Sequence, residues 1–502
     1  MTPADVLSSL SGPSAFAGAP FGADLITFCE ALQKRGGIGV YVARDDRLAQ
    51  AARRMALFAA PRLEQVDLPG WDVLPYDRIS PTPAVAARRC AGLARISRYE
   101  KAQGPLLVIT TAGSLVQRAA PVETLRKASL SIRAGETVKA NELTEYLAFN
   151  GYVRSGTVRE QGEYAVRGGI IDIFPPTAGE PFRLDFFGDV LETIRTFDTE
   201  TQRSTGKAEA VTFAPVSEIL FNDNVLAAFR DRFLETFGPP SGDQMYEAAR
   251  ASIRRQGVES WLALFHPRLD TLFDYVGEGA LFALGHLSSE AAHERLAQAA
   301  DYHAARLEAG GGDIRKARVL PPGRLYLEVD ELDNLLATHA VVRFSPAEPS
   351  PATFDMGGRR GRDFAPERLR TDENIFETVI AHARALYASG KPVVFAAWST
   401  GSADRLINVL TDHGLKGLAQ VHTLEAAKKT DFTVAEVPIE EGFNLPGLAM
   451  ISEADVLGDR LAAPRRKRKS ASFITDATSL TPGDLVVHVD HGVGKYVGLK
   501  TL

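Results

Sequence analysis

The sequence predicts a multidomain α/β protein: a split parallel-sheet α/β domain with an inserted antiparallel α+β module, a second small α/β domain, and the start of a small β-barrel. Helical stretches alternate with short apolar runs on both sides of residues 123–213, whereas that segment contains short strands bounded by turn residues. The chain has 502 residues. At about 150 residues per domain, this length corresponds to roughly three or four domains.

The split α/β domain is predicted at residues 1–122 and 214–346. Its first half alternates helices and strands in the order ADLITFCEALQKRGG, IGVYVA, DDRLAQAARRMALFA, AVAARRCAGLARISRYE and LLVITT. Thr110 and Thr111 end the last strand and are placed to cap the segment AGSLVQRAA. Helical periodicity returns in NVLAAFRDRFLETF, DQMYEAARASIRRQG and SSEAAHERLAQAADYHAARLEAG, which indicates that the α/β domain resumes after residue 213.

The inserted module is predicted at residues 123–213. Its strands are ASLSIRAG, VRSGTV, YAVRGGIIDIF, FRLDFFGD and LETIRTFD, and its single helix is NELTEYLAFNG. Pro175, Pro176, Gly179 and Gly188 provide turns between the strands. Short strands joined by such turns predict an antiparallel sheet.

The remaining chain is predicted to contain a linker at 347–371, a small α/β domain at 372–455, a basic linker at 456–478 and a truncated domain at 479–502. The first linker is rich in Pro, Gly and Arg, and the small domain alternates helices and apolar strands. The last residues, LTPGDLVVHVDHGVGKYVGLKTL, alternate apolar and polar positions like the first strands of a barrel. Because so few residues cannot bury a core, we expect the natural protein to continue past Leu502.

A basic run lies in the second linker, at Arg465, Arg466, Lys467, Arg468 and Lys469. It could be a solvated linker, a contact to a phosphate backbone or a targeting signal. No aromatic residue is interleaved to stack on bases, so the linker interpretation is preferred.

The composition limits the class of protein. The formal net charge of −6 argues against a surface that is basic throughout, so any contact with nucleic acid must be local. Two cysteines, Cys29 and Cys90, are too few for a disulfide framework, which favours a reducing cytoplasm. No apolar stretch approaches the roughly 18 residues of a membrane span, and the N-terminus has no basic leader pattern.

The sequence contains no recognisable catalytic, metal-binding or cofactor-binding set. The phosphate-binding string G-x-x-x-x-G-K-[ST] does not occur. The run LYLEVDE resembles a strand that ends in an acidic pair, and Asp330 and Glu331 could therefore hold Mg²⁺. Without a phosphate-binding loop, we prefer the alternative that Asp330 caps the helix ELDNLLATH.

The most informative polar pattern lies in FRLDFFGD. Strand alternation places Arg183, Asp185 and Phe187 on one face and apolar residues on the other. In YAVRGG, Arg167 shares a face with Ala165 and Gly169, so an adjacent strand could add its guanidinium to the same patch. An exposed Phe beside Arg is typical of protein interfaces, but an ordinary solvated sheet face explains the pattern equally well.

Several strings together resemble one family, the bacterial transcription-repair coupling factors (Mfd), and they follow the family's order along the whole chain. They are PGWDVLPYDRISPTP at 69–83, RGGIIDIFPPTAGEPFRLDFFGD at 167–189, FDTETQRS at 197–204, LPPGRLYLEVDEL at 320–332, EEGFNLPGLAMISEADVLGDR at 440–460 and GDLVVHVDHGVGKYVGL at 483–499.

This resemblance implies a degenerate module similar to the excision-repair helicase UvrB, whose inserted domain docks the damage-recognition protein UvrA. Arg167, Arg183 and Phe187 match family positions implicated in UvrA binding. The residues from 479 onward resemble the start of the domain that binds the RNA polymerase β subunit. ATP and Mg²⁺ belong to the family's double-stranded DNA translocase, which lies beyond this chain together with most DNA contacts.

The resemblance therefore implies an N-terminal region that recruits UvrA to RNA polymerase stalled at DNA damage, in transcription-coupled nucleotide-excision repair. This chain alone is predicted to be non-catalytic. Two other functions stay open from the sequence: an ATP-dependent UvrB-like helicase module that uses Asp330 and Glu331, and a nonspecific DNA-binding scaffold that uses the basic run.

Overall fold

A computed structural model gives the fold and describes residues 2–240, 242–369, 374–458, 485–488 and 492–495. Two compact units divide the chain, Met1–Gly458 and Asp459–Leu502. The basic run 465–469 and most of the predicted linker 456–478 lie outside the described residues.

The first segment of the chain alternates helices and strands, with the two predicted strands and two further ones at 14–17 and 64–68. Its elements are α1 (Pro3–Ser8), β1 (Ser14–Ala17), α2 (Ala23–Arg35), β2 (Ile38–Ala43), α3 (Asp46–Ala59), β3 (Glu64–Leu68), α4 (Pro83–Ser97), β4 (Leu106–Thr111), α5 (Ala112–Leu115) and α6 (Val122–Ala128). The Thr111 hydroxyl accepts the Ser114 N–H and caps α5, as predicted. The Thr110 hydroxyl instead donates to the Leu68 carbonyl at 2.7 Å, so only one of the two threonines is a cap.

The inserted module follows in the chain. Its elements are β5 (Leu130–Arg133), α7 (Ala140–Phe149), β6 (Val153–Arg154), β7 (Glu163–Arg167), β8 (Ile170–Ile173), β9 (Phe182–Phe187), β10 (Val190–Phe197), β11 (Ser204–Ala208) and β12 (Ala210–Phe213). The main sheet has the order β11-β10-β9-β8-β7-β6 and is antiparallel except at β6, which runs parallel to β7. Strand β5 pairs instead with β12 in a separate antiparallel ladder.

Helices and strands of the α/β type then resume. They are α8 (Asp223–Phe237), α9 (Gln244–Arg250), α10 (Leu262–Phe265), α11 (Leu272–Val276), β13 (Leu281–Leu284), α12 (Ser288–Ala309), α13 (Ile314–Ala317), α14 (Val329–Thr338), β14 (Ala340–Phe344) and β15 (Phe354–Asp355). The resulting sheet has the order β15-β1-β14-β13-β2-β4-β3, and every one of these pairings is parallel. Strands from both halves interleave, which confirms a parallel sheet split by an insertion.

A buried ion pair joins the two halves where the inserted module returns to the α/β domain. The Arg89 Nε atom donates to Glu218 Oε1 at 2.8 Å, and the Ala120 N–H donates to Glu218 Oε2 at 2.8 Å. Arg89 also donates to the Pro69 carbonyl and the Ser114 hydroxyl. The pair therefore fixes the chain on both sides of the insertion.

The acidic pair at 330–331 differs from its prediction. The residues LYLEVDE do not form a strand, because Glu328 caps α14 and Asp330 lies inside its first turn. Glu331 accepts a hydrogen bond from Arg118 Nη2 at 2.5 Å. The prediction that Asp330 caps the helix was therefore wrong, because the cap lies two residues earlier. The Glu331 carboxylate is already bound to the Arg118 guanidinium group.

The predicted linker at 347–371 contributes strands to both neighbouring sheets. Within it, β15 pairs with β1, and β16 (Arg359–Arg360) pairs with a strand of the small α/β domain. That domain contains α15 (Ala365–Arg368), α16 (Ile375–Ala388), β17 (Val393–Ala397), α17 (Thr400–Asp412), β18 (Ala419–Gln420), α18 (Leu424–Ala427), β19 (Phe432–Glu436), β20 (Phe443–Leu445), β21 (Leu448–Ser452) and α19 (Glu453–Leu457). Its sheet is mixed, with the order β16-β20-β21-β17-β19-β18.

The small domain shares a hydrophobic core with the first α/β domain. Met55 on α3 and Phe443 on β20 belong to one cluster of buried side chains. A Cβ atom at Gly22 would approach the Phe443 ring to 2.7 Å, and Gly22 has a φ of +94°, so glycine is required there on both grounds.

The second unit contains a hairpin in its described residues. Strands β22 (Leu485–His488) and β23 (Gly492–Lys495) pair antiparallel, with Leu485 opposite Lys495. The alternating pattern thus forms strands, and the barrel that they would begin stays a prediction. Across the described part of the chain, no helix is long and apolar enough to span a membrane.

The first prediction concerns Asp24, a buried carboxylate at the start of α2. Its Oδ1 atom accepts the Gly22 and Leu25 N–H groups, and Oδ2 accepts the Tyr41 hydroxyl at 2.7 Å. Burial raises the pKa of Asp24 to about 6. Because the unfolded chain ionises this group near pH 4, its contribution to the free energy of unfolding falls by up to about 3 kcal/mol as the pH rises through 6.

Asp24→Asn keeps the acceptor for both backbone groups and removes this titration. We expect the melting temperature of the variant, relative to the wild type, to rise between pH 4 and pH 7. Thermal unfolding of both proteins across that range measures the difference, and a difference that does not change with pH would contradict the prediction.

Candidate interaction surface

The antiparallel module presents a polar face made by alternate residues of β7, β8, β9 and β10. We call this the outer face, and its members are Arg167, Ile170, Asp172, Arg183, Asp185, Phe187, Val190, Thr193 and Arg195. The other side of the same strands supplies core residues, among them Ile171, Leu184 and Ile194. The predicted division of FRLDFFGD into two faces is therefore confirmed.

The strand that carries Arg167 is not the direct neighbour of β9. The sequence YAVRGGIIDIF forms a hairpin, in which Gly168 and Gly169 make the turn between β7 and β8. Gly168 has a φ of +60°, and the Gly169 carbonyl accepts the Phe186 N–H at 2.8 Å. Gly169 is thus a turn residue rather than part of the Arg167 face, and β8 lies between Arg167 and Arg183.

This intervening strand places a carboxylate between the two arginines. Asp172 is only 2% exposed, and Arg183 donates to both of its oxygens, from Nε at 2.7 Å and from Nη2 at 2.9 Å. The Arg183 guanidinium also lies 4.9 Å from the centre of the Phe197 ring. The hydrogen bonds to Asp172 raise the pKa of Arg183 above its ordinary value. Arg183 is therefore held rigidly, with 17% of its side chain exposed.

Arg167 stays more accessible. Its side chain is 49% exposed, and Nη1 lies 4.0 Å from Asp172 Oδ2. Nη2 donates to the Gly156 carbonyl at 2.5 Å and to the Thr157 hydroxyl at 3.2 Å. Asp172 thus attracts both arginines, although only Arg183 binds it closely.

A second carboxylate on the outer face is also neutralised. Arg195 on β10 donates to Asp185 Oδ2 from Nε at 3.0 Å and from Nη2, and the Thr193 hydroxyl donates to the same oxygen at 2.7 Å. Because the charge of Asp185 is compensated within the sheet, it does not oppose an acidic partner as an unpaired carboxylate would.

Phe187 lies at the end of β9, at the tip of the hairpin with β10. It is 75% exposed, and its cross-strand partner Val190 is 40% exposed. Gly188 in the turn has a φ of +60°, which allows the chain to reverse directly after Phe187. An aromatic ring is therefore held in solvent by two paired strands.

The structure brings Arg167, Arg183 and Phe187 to one face, but gives them different surroundings. The sequence analysis missed Asp172 and Arg195, which bind the arginine and the aspartate of that face. Alternation in IIDIF and TIRTF contained a signal for both residues, but the pairing register, which sets them opposite Arg183 and Asp185, depends on hairpin turns.

Three family models match parts of this chain. Residues 130–219 match the UvrB interaction domain, residues 386–456 match the MFD, D3 domain, and residues 480–502 match the CarD-like/TRCF RID domain. The first match contains the whole outer face. The fold and these matches describe a multidomain chain in which a segment similar to the UvrB interaction domain is inserted in an α/β domain.

Curated relatives agree over nearly the whole chain. A transcription-repair-coupling factor of Haemophilus influenzae is 30% identical over 96% of this chain and 42% of its own length. Relatives of the same name from Rickettsia bellii and Escherichia coli are 26% and 29% identical, over 92% and 87% of this chain and 40% and 38% of their own lengths. These matches confirm the resemblance to the N-terminal part of the transcription-repair coupling factors. The chain spans about two fifths of the length of these relatives.

The second prediction concerns the stability of the outer face. Arg183→Ala leaves the buried Asp172 with only the more distant Arg167 as a counter-charge, so we expect a loss of about 3 kcal/mol in the free energy of unfolding of the module. Arg195→Ala is the matched control, because its partner Asp185 is better solvated and the expected loss is at most about 1 kcal/mol.

Chemical denaturation of these two variants, of Asp172→Ala and of Asp172→Ala/Arg183→Ala measures these effects. The double variant is expected to lose less stability than the sum of its single changes, because no unpaired charge is left behind. Equal losses for Arg183→Ala and Arg195→Ala would show that the Asp172 pair has no special role.

Proposed function

We propose that the outer face binds UvrA and that this chain thereby recruits UvrA to RNA polymerase stalled at DNA damage. The observation that carries the proposal is the exposure of Phe187 beside ion-paired arginines, within the segment that matches the UvrB interaction domain. Aromatic residues and arginine supply a large share of interface hot spots, at about 2 kcal/mol or more each.

The geometry of the outer face suits binding to a rigid partner surface. Phe187 projects from a hairpin whose strands are paired on both sides, so little conformational entropy is lost when the ring is buried. The arginines of the face outnumber its aspartates, and both aspartates are already bound by guanidinium groups. The face therefore favours a partner that offers an apolar pocket and acidic or carbonyl groups.

The proposal assigns separate tasks to the three residues. Phe187 and Arg167 are the contacts, because they are the exposed members. Arg183 acts mainly through Asp172, since most of its surface is already buried inside the module. Loss of Arg183 should consequently lower both stability and affinity, which departs from the simpler expectation that it acts as a surface contact only.

The other partners are proposed from the family matches. Residues 480–502 match the CarD-like/TRCF RID domain, which supports binding to the RNA polymerase β subunit. The names of the relatives support a role in coupling transcription to repair. We propose that this role is transcription-coupled nucleotide-excision repair and that it takes place in the cytoplasm. ATP-dependent translocation on DNA is proposed for the part of such proteins that this chain does not cover.

The third prediction tests the UvrA contact. Phe187→Ala should weaken binding of the 502-residue chain to purified UvrA by about 30-fold. The melting temperature should stay unchanged, because the ring packs little against its own module. Phe149→Ala is the matched control: it truncates a 49% exposed phenylalanine at the end of α7 in the same module, away from the outer face.

Isothermal titration calorimetry with UvrA measures the affinities, and a thermal melt checks the fold of each variant. Phe149→Ala should bind within about twofold of the wild type. Equal affinities for Phe187→Ala and Phe149→Ala would remove the proposal.

A further inference from the structure

A cleft of about 700 Å³ lies between the α/β domain and the inserted module, and it shares no residue with the outer face. One wall is formed by α3, β3 and α4, and the other by the segments around Gln161, Thr177 and Thr212. Its volume is in the range of sites that bind small molecules.

Arginines dominate the charge of this cleft. Arg53, Arg88, Arg95 and Arg98 line it, against the two carboxylates of Glu64 and Asp67. Asp67 is shared by Arg53 at 2.9 Å and Arg88 at 3.3 Å, whereas Glu64 is taken by Arg95 in two contacts of 2.6 Å. Both carboxylates of the lining are thus already ion-paired with arginines. Because the lining has four arginines and two carboxylates, it keeps an excess of positive charge.

Neither of these two carboxylates pairs with Arg98, the fourth arginine of the lining. Its Nε atom donates to the Ala94 carbonyl at 3.1 Å and so caps the end of α4. Within the described residues, no carboxylate pairs with its guanidinium. Burial, and then the nearby charge of Arg95, lower the pKa of Arg98 below its ordinary value. The contact with the end of α4 uses only the Nε atom of Arg98. The two terminal nitrogens of its guanidinium group are therefore available to bind an anion.

We propose that this cleft binds phosphate groups, carried either by a nucleic-acid backbone or by a free phosphate compound. Guanidinium groups match phosphate oxygens in bidentate geometry, and one phosphate can accept from several of them. An acidic peptide fits less well, because a carboxylate offers fewer acceptor oxygens and less negative charge than a phosphate.

The experiment compares Arg98→Gln with Arg306→Gln in the 502-residue chain. Arg306 is the matched control, because it is also partly buried on a helix beside another arginine, Arg78, and its pKa is lowered for the same reasons. Thr177→Glu is a second test, which adds a carboxylate from the opposite wall without altering any arginine. A thermal melt confirms that each variant is folded.

Two phosphate probes distinguish the sources. A labelled single-stranded oligonucleotide is followed by fluorescence anisotropy at several salt concentrations, and inorganic pyrophosphate is followed by isothermal titration calorimetry. We expect Arg98→Gln and Thr177→Glu to weaken phosphate binding by about tenfold and Arg306→Gln to leave it within about twofold. Arg98→Gln should also reduce the salt dependence of oligonucleotide binding by about one phosphate contact.

Binding of the oligonucleotide alone would assign the cleft to a nucleic-acid backbone, and binding of pyrophosphate would assign it to free phosphate compounds. The proposal is overturned if neither probe binds, or if Arg98→Gln and Arg306→Gln weaken binding equally. It is also overturned if only a polyglutamate peptide binds in an Arg98-dependent way.

Discussion

The buried pair of Arg89 and Glu218 is the interaction on which the placement of the inserted module depends. Arg89 lies on α4 inside the first half of the split domain, whereas Glu218 lies where the chain returns from the module. Removing either partner would leave a charge buried in the core, which is far more costly than the pair itself is stabilising. The two halves of the α/β domain are therefore held together by a polar contact at the junction as well as by the surrounding apolar core.

Helix α4 connects this junction with two other parts of the molecule. Ala87 packs into the core of the inserted module, and Arg89 points inward to Glu218. Arg88 and Arg95, on another side of the same helix, face the cleft that we propose binds phosphate. Because a single helix carries the core contact, the buried pair and the cleft wall, the arrangement of the α/β domain and the module is closely determined.

Helices and strands were predicted correctly where the spacing of apolar residues and the apolar content of the segment indicated the same element. Prediction failed where polar residues form sheet edges or turns. The buried strands β2 and β4 were clear, whereas β3, with its sequence EQVDL, was missed because polar residues alternate along a sheet edge. The run LYLEVDE has strand-like alternation. Its residues Leu325, Tyr326 and Leu327 are nevertheless buried side chains of the loop that precedes the capped helix α14. The short strands in the linker at 347–371 depend on tertiary pairing, which no local pattern contains.

The same limit applies to the outer face. Alternation in one strand separated Arg183 and Phe187 from Leu184, and this separation needs no tertiary information. The burial of Arg183 could not be predicted, because it depends on Asp172 coming opposite in the register of β8 and β9. The sequence pattern alone indicated that Arg183 is an exposed contact. In the structure Arg183 is mostly buried and holds the outer face in place through Asp172.

Hydrogen–deuterium exchange of the chain with and without UvrA would locate the proposed contact. If UvrA binds the outer face at the two hairpin tips, exchange slows in the turns between β7 and β8 and between β9 and β10, while α7 on the opposite side is unchanged. Slower exchange at α7 with both turns unaffected would show that UvrA binds elsewhere.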